Sequence, residues 1–194
     1  MDPSLRRATP DDAPAVAGIW YAGWQDAHLG HVPEELVAAR TRSTFDERAL
    51  ERVADTAVAE ADGEVIGFVM VAYDEVDQVY VDASRRGSGV AGLLLTEAER
   101  LVLAGGHPVA WLAVVPGNAR ARRFYERRGW RDEGPFLHEA PVGSGHVLVP
   151  CRRYVKAVSP LVSVDELARE LGDVTVLDVR YRTGGPAGPA EHAA

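Results

Sequence analysis

Gly87-Ser88-Gly89-Val90-Ala91-Gly92 lies between an apolar run, Gln78 to Asp82, and an amphipathic stretch that opens at Gly89 and closes at Gly105-Gly106. A strand feeding a glycine loop and then a helix is a device of layered α/β folds. Backbone N–H groups and the positive end of the helix dipole converge there on an anion. Glycines let that backbone come close without a Cβ in the way. The segment fits G-x-G-x-x-G literally, so the dinucleotide-binding fold is the first reading to test. It fits poorly. The first glycine of that fold follows its strand directly, whereas Ala83-Ser84-Arg85-Arg86 intervenes here. The acidic residue expected about 20 positions on is missing, and Val115-Pro116-Gly117 stands in its place. A P-loop is excluded because no Gly-Lys-Ser/Thr follows. Two readings stay open from the loop alone: the amides of Gly87 to Ala91 cradle a pyrophosphate, or the glycines only permit a turn.

Strands alternating with helices extend this α/β layering along the chain. Ser4 to Ala8 reads as a short opening strand. Thr9-Pro10-Asp11-Asp12 is a helix start, with an N-cap hydroxyl, a first-turn proline and carboxylates at the positive end of the dipole. Val16, Ile19, Trp20, Gly23, Trp24 and Ala27 recur at helical spacing. A second helical stretch runs from about Pro33 through Arg52, broken near Ser43. Thr56 to Ala61 and Val65 to Tyr73 are strands joined by Asp62-Gly63, a tight-hairpin dipeptide. The helix after the glycine loop turns Val90, Leu93, Leu94, Leu101 and Val102 inward. Val109 to Val115 is nearly continuous in apolar residues, which predicts a strand buried on both faces. Asn118 caps a helix from Ala119 to Arg128 that Gly129 closes. Late strands near Trp130 and from His146 to Tyr154 complete a mixed sheet.

Composition narrows the function classes. With 21 basic and 29 acidic side chains among 194 residues, the net charge is −8, which disfavours a dedicated nucleic-acid binder. No apolar run approaches the roughly 20 residues needed to cross a bilayer, and the N-terminus MDPSLRRATPDD lacks the apolar core of a signal peptide. The single cysteine, Cys151, leaves no intramolecular disulfide and no Cys-based zinc cluster; a small core residue is expected there. A cytoplasmic protein without membrane or nucleic-acid partners is the simplest expectation. His28 and His31 stand at i and i+3 with no third ligand, so no metal is expected.

Two segments together resemble the GCN5-related N-acetyltransferase (GNAT) family. Val79-Tyr80-Val81-Asp82-Ala83-Ser84-Arg85-Arg86-Gly87-Ser88-Gly89-Val90-Ala91 looks like that family's acetyl-CoA motif, whose core Arg/Gln-x-x-Gly-x-Gly/Ala falls on Arg86, Gly89 and Ala91. Asn118-Ala119-Arg120-Ala121-Arg122-Arg123-Phe124-Tyr125-Glu126-Arg127-Arg128-Gly129-Trp130 is similar to Asn-x-x-Ala-x-x-Phe-Tyr-Glu-x-x-Gly-Phe. One helix and one apolar strand separate them, and the resemblance covers roughly residues 4–154. It implies a mixed α/β sheet, splayed at its centre and flanked by helices. It also implies an acetyl-CoA-dependent N-acetyltransferase acting on a small-molecule or peptide amine. The alternative is a CoA-binding sensor or interaction module of the same fold without turnover. A homodimer is left open.

The resemblance also assigns residues. The cosubstrate would meet Val79, Tyr80 and Val81 by their backbone, with the Val81 N–H near the thioester oxygen. Its phosphates would meet Arg86, Gly87, Ser88, Gly89, Val90 and Ala91. Asn118 is a helix cap in any case, and the family adds a bond to the cofactor arm. Tyr125 would protonate the departing thiolate, against the plain reading of a tyrosine packed beside Phe124. Glu75 is implied as the base, with Asp77 or water as substitutes; Asp74-Glu75-Val76-Asp77 is otherwise a solvated acidic run. One or two of Arg120, Arg122, Arg123, Arg127 and Arg128 would meet CoA phosphates. Trp20, Tyr21, Trp24, His28 and His31 fall where the family borders its acceptor site, and serve equally well as core. The net charge weakly favours a cationic acceptor.

A boundary near Val155 to Pro160 sets a domain of residues 1–155 apart from a short C-terminal appendage, 156–194. There Ser163-Val164-Asp165-Glu166 predicts a helix start and Val174 to Val179 a strand, before a glycine- and proline-rich end expected to be disordered. Residues 159–182 resemble the opening of a rhodanese domain through Leu161-Val162-Ser163 and Leu177-Asp178-Val179-Arg180, without its cysteine loop.

Overall fold

The computed structural model describes residues 3–159. The helix expected at Ser163, the strand at Val174 to Val179 and the rhodanese-like stretch beyond Ser159 lie outside the described residues. The elements in chain order are β1 (Ser4–Arg7), α1 (Ala13–His28), α2 (Glu34–Ala39), α3 (Arg42–Glu51), β2 (Thr56–Ala61), β3 (Glu64–Ala72) and β4 (Glu75–Val81). They are followed by α4 (Val90–Ala104), β5 (Val109–Val114), α5 (Ala119–Arg127), β6 (Arg131–Val142) and β7 (Gly145–Ala157). The strands form one sheet in the order β1-β2-β3-β4-β5-β7-β6, antiparallel throughout except where β4 meets β5.

Local chemistry sets the starts and turns. Asp12 accepts from the Thr9 N–H at 2.7 Å, from the Thr9 hydroxyl at 2.9 Å, and from both terminal nitrogens of Arg6, fixing the entry to α1. Arg6 holds its carboxyl well below the usual range. Asp62 (φ 55) and Gly63 (φ 79) both take the left-handed conformation that a two-residue hairpin needs. The Asn118 Oδ1 accepts from Ala121 N at 3.0 Å and caps α5.

Two apolar layers cover the sheet. Trp20, Trp24, Phe45, Phe68 and Met70 belong to the layer under α1 and α3. Leu94, Leu95, Val102, Leu112 and Trp130 belong to the layer under α4. The inner face of α4 differs from the spacing-based expectation: its stripe centres on Leu94, Ala98 and Val102 with Leu95 beside them, so Leu93 is 41% exposed. The second helical stretch breaks at Arg40-Thr41 rather than near Ser43, because Thr41 caps α3 through Thr44 N. β5 is buried on one face only, by Ala110, Leu112 and Val114, while Trp111 and Ala113 stay half-buried.

β6 runs for 12 residues, far beyond the short strand expected near Trp130. Gly and Pro ordinarily favour turns, yet Gly134 (φ 111) forms a bulge whose N–H donates to Asp132 Oδ1. Pro135 is tolerated because β6 is an edge strand and lacks a neighbour for the missing N–H. β7 pairs with β5 through Ala157, and the amides of Val158 and Ser159 both donate to Pro108 O.

β4 and β5 share a single register pair, Glu75 with Trp111, and Trp111 N donates to Asp74 O at 2.9 Å. Beyond that pair the two parallel strands part. On its other edge β4 carries a bulge: Val76 pairs with Val71 and Gln78 with Met70, so Asp77 is the additional residue. The bulge exchanges the faces of the strand. Val76 joins Val79 and Val81 in the α4 layer, and Glu75 turns to the same side as Gln78 and Tyr80.

Candidate active site

The glycine loop folds as an open cradle. Gly87 (φ 80) and Gly89 (φ 89) are both left-handed, and a Cβ on either would meet nothing within 4 Å. The amides of Gly87, Gly89, Val90 and Ala91 find no acceptor within the described residues, and the start of α4 adds its dipole to the same place. A cleft of ≈ 430 Å³ runs from this loop to Tyr125. Two predicted members behave differently. The Ser88 hydroxyl donates to Arg85 O at 2.6 Å and does not line the cleft. The Arg86 guanidinium pairs with Asp26 of α1 at 2.6 Å, tying the loop down while still bordering the cleft.

The parted strands supply backbone donors. Just past β4, Asp82 N donates across to Ile66 O of β3. Amides alternate in direction along a strand, so those of Val81 and Val79 face the gap toward β5. Tyr125 projects from α5 into the same region. Burial pushes its phenol well above the ordinary value, and no protein hydrogen bond contributes to that shift. Its ring packs against Phe124, Trp130 and Tyr154. It is thus both a core residue and a buried phenol facing a cavity. Asn118 is a cap, as its position predicts, and also borders the cleft.

A second cavity, ≈ 170 Å³, shares Ala27, Val79, Tyr80, Asn118, Ala121 and Tyr125 with the cleft. Trp20 and Trp24 wall it, so the aromatic stripe of α1 serves as core and as pocket at once. The acidic run that opens β4 is not a solvated face, since Glu75 and Asp77 both open into this cavity. Glu75 Oε1 lies 3.1 Å from His138 Nε2, and Glu75 raises the imidazole pKa despite burial. Asp77 is held at 2.7 Å by Arg52 Nη1 and at 2.7 Å by Gln78 Nε2; Gln78 in turn accepts from Trp20 Nε1 at 3.0 Å. His28 stacks on Trp24, and burial lowers its pKa to about 4, so it is neutral at ordinary pH. Cys151 is a buried wall residue whose thiol burial pushes up to about 11.

Among the described residues no group of three His, Cys, Asp or Glu side chains is placed to hold a metal. His31 lies against Gly117, away from His28's cavity. Of the arginines of α5 and its C-cap, Arg120, Arg127 and Arg128 border the cleft. Arg122 instead donates to the Tyr154 hydroxyl, next to Asp132.

Sequence reasoning missed His138, Arg40 and Arg48, which also line the second cavity. The alternation Phe136, His138, Ala140 along a strand is the signal that could have pointed to His138. No local pattern marks the two arginines.

Chemically, the site joins an open glycine cradle with amides unpaired among the described residues, inward amides of a parted strand, a buried phenol and a carboxylate–imidazole pair able to accept a proton. Residues 19–130, more than half of the chain, match the Acetyltransferase (GNAT) family. No match is found among curated proteins. Among solved structures the chain is similar to a GCN5-related N-acetyltransferase (aminotransferase, class-II) from Rhodopseudomonas palustris. That likeness has a TM-score of 0.62 at 23% identity and covers 81% of this chain and 96% of that one. It is also similar to the PaiA N-acetyltransferase of Thermoplasma acidophilum in complex with coenzyme A (0.60, 19%, 81% and 99%). A third is YncA of Salmonella typhimurium with its cofactor acetyl-CoA (0.61, 16%, 84% and 98%). At these identities the likeness is one of fold. The rhodanese resemblance gains no support, as the family match ends at Trp130. With its split sheet, glycine cradle and matched segment, the chain belongs to the GNAT acetyltransferase family.

Proposed function

We propose that this chain is an acetyl-CoA-dependent N-acetyltransferase acting on a primary amine by direct attack on the thioester. The observation that carries the reading is the meeting of two cavities at the parted strands, one running from the glycine cradle and one holding the carboxylates. The cradle suits a pyrophosphate: its four amides lack acceptors among the described residues, and its glycines leave open the space that a Cβ would fill. Acetyl-CoA supplies the activated acetyl group; every other task falls to the chain. The amides of Val79 and Val81 donate to the bound arm, and the Val81 N–H stabilises charge on the carbonyl oxygen. Glu75 and His138 take the proton that the attacking amine gives up. Asp77 is less free to receive the proton because Arg52 and Gln78 already occupy it. As the new C–N bond forms and the C–S bond breaks, Tyr125 gives its proton to the sulfur. Its raised pKa keeps that proton in place beforehand.

We assign this activity to the unit of residues 1–155, with 156–194 as an appendage; any truncation is best cut at Ser159, since pairing runs to Ala157. Among the described residues no helix is long and apolar enough to cross a membrane, in keeping with a cytoplasmic setting. The test is thiol release from acetyl-CoA over a panel of amines. Acetyl-CoA binding without thiol release for any amine would replace the enzyme by a CoA-binding module.

A further inference from the structure

We propose that the acceptor amine also carries an oxyanion, a carboxylate or a phosphonate, and that Arg40 and Arg48 hold it. This rests on acetyl transfer at the same site and names the acceptor's chemical class. Arg40 stands in the break between α2 and α3 and is 8% exposed. Its Nη2 donates to Pro141 O at 2.9 Å. Arg48 projects from α3 with its Cζ 4.5 Å over the Trp20 ring. Both line the second cavity, and neither forms an ion pair among the described residues.

The acids that line the cavity are already engaged, and Glu51, which also acts on Arg48 through space, is exposed and makes no ion pair with it. Asp77, which acts on both arginines through space, is paired with Arg52. Glu75 is paired with His138. A dehydrated guanidinium without a counter-charge is costly to fold around. Arg40 is buried and Arg48 half-buried, and that burial lowers the pKa of both, Arg40 to about 10. Two such groups in one small cavity amount to a local positive field inside an acidic protein. Planar guanidinium donors match a carboxylate or phosphonate in shape and charge. The whole-chain charge of −8 is screened beyond about 8 Å at physiological salt, so it does not govern what this cavity receives.

The experiment uses the full chain and matched acceptors: α-amino acids, their carboxamides, the corresponding decarboxylated amines, and aminoalkylphosphonates. Thiol release gives kcat/KM. Calorimetric titration of the N-acetylated form of each, with CoA present, gives an affinity that needs no turnover. Acid-bearing members should exceed their amides by roughly 10- to 100-fold, the worth of a charge-assisted hydrogen bond. Arg40→Gln and Arg48→Gln should each shrink that ratio about 10-fold, and Arg48→Lys, which keeps the charge, should shrink it less. The carboxylate–phosphonate ranking identifies the source of the oxyanion. Amides and plain amines equalling the acids in both measurements would overturn the inference. Absence of turnover for every acceptor, with N-acetylated acids still binding more tightly than amides, would remove acetyl transfer and leave the anion site standing.

Discussion

Gly89→Ala separates the backbone demands of the glycine loop from its demand for empty space. Gly89 has φ 89, and a Cβ there meets no atom within 4 Å in the chain itself. The folded protein therefore loses only the strain of a left-handed alanine, ~1–2 kcal/mol. For a domain of this size each kcal/mol moves Tm by about 2–4 °C, so the unliganded variant should melt about 2–8 °C lower. Wild type at acetyl-CoA 100-fold above Kd should gain ~2.7 kcal/mol, or about 5–11 °C. If the added methyl costs the pyrophosphate one charge-assisted bond, affinity falls about 10- to 100-fold. At the upper end the same ligand concentration equals Kd, and the gain shrinks to ~0.4 kcal/mol, about 1 °C. Gly63→Ala is the control: it too is left-handed (φ 79) with open space around its Cβ, but sits in the β2–β3 turn. It should show the same unliganded loss and the full ligand gain. Thermal melts with and without acetyl-CoA read both quantities. A full ligand-induced shift in Gly89→Ala would refute the cradle.

Tyr125→Phe keeps the packing ring and removes the proton; thiol release should fall about 10- to 1,000-fold with acetyl-CoA affinity little changed. Wild-type turnover in that variant would make water the proton source. Glu75 raises the pKa of His138, so the proton-accepting neutral imidazole grows in as pH climbs through that raised value. kcat/KM should rise with pH accordingly, and Glu75→Gln should move the rise to lower pH, with Asp77 and Glu139 still nearby, and lower the plateau about 100-fold. A pH profile left in place by Glu75→Gln would exclude His138 from proton acceptance. Asp12 is held below the usual carboxylate range by Arg6, so its contribution to stability is complete above the unfolded pKa of ~3.9 and is lost as pH falls below it. Asp12→Asn should destabilise by ~1–2 kcal/mol at neutral pH, a figure kept low because Arg6 is well exposed. Urea melts should also show a shallower loss of stability below about pH 4 in the variant.

What is legible in the sequence is local. The Asp62-Gly63 turn, the Asn118 cap and the α1 stripe each depend on residues within one turn or hairpin, and each is found. What could not be read depends on register between distant strands. A period of two places Glu75 with Val79 and Val81, whereas the bulge at Asp77 turns it to the side of Gln78 and Tyr80. His138 reaches Glu75 across 63 positions of sequence, and nothing near it foretells that. Arg40 and Arg48 look like ordinary surface arginines until α2 and α3 fold over the cavity. β6 was hidden by Gly134 and Pro135, residues whose turn preference is overruled by pairing with β7.

The lone tie between β4 and β5 makes the sheet behave as two plates joined by one rivet. Four strands lie on one side of Asp74–Trp111 and three on the other, and past the rivet no ladder resists their separation. The Trp111 Nε1 donates to Asp74 Oδ1 at 3.2 Å, a side-chain clasp over the backbone bond. Amide deuterium exchange should trace this division. The N–H groups of Val79 and Val81, in the seam, should exchange ahead of those of Phe68 and Val69 within the ladder. Removing the clasp by Trp111→Phe should quicken the seam before it touches the rest, because the width of the gap is set at that single point.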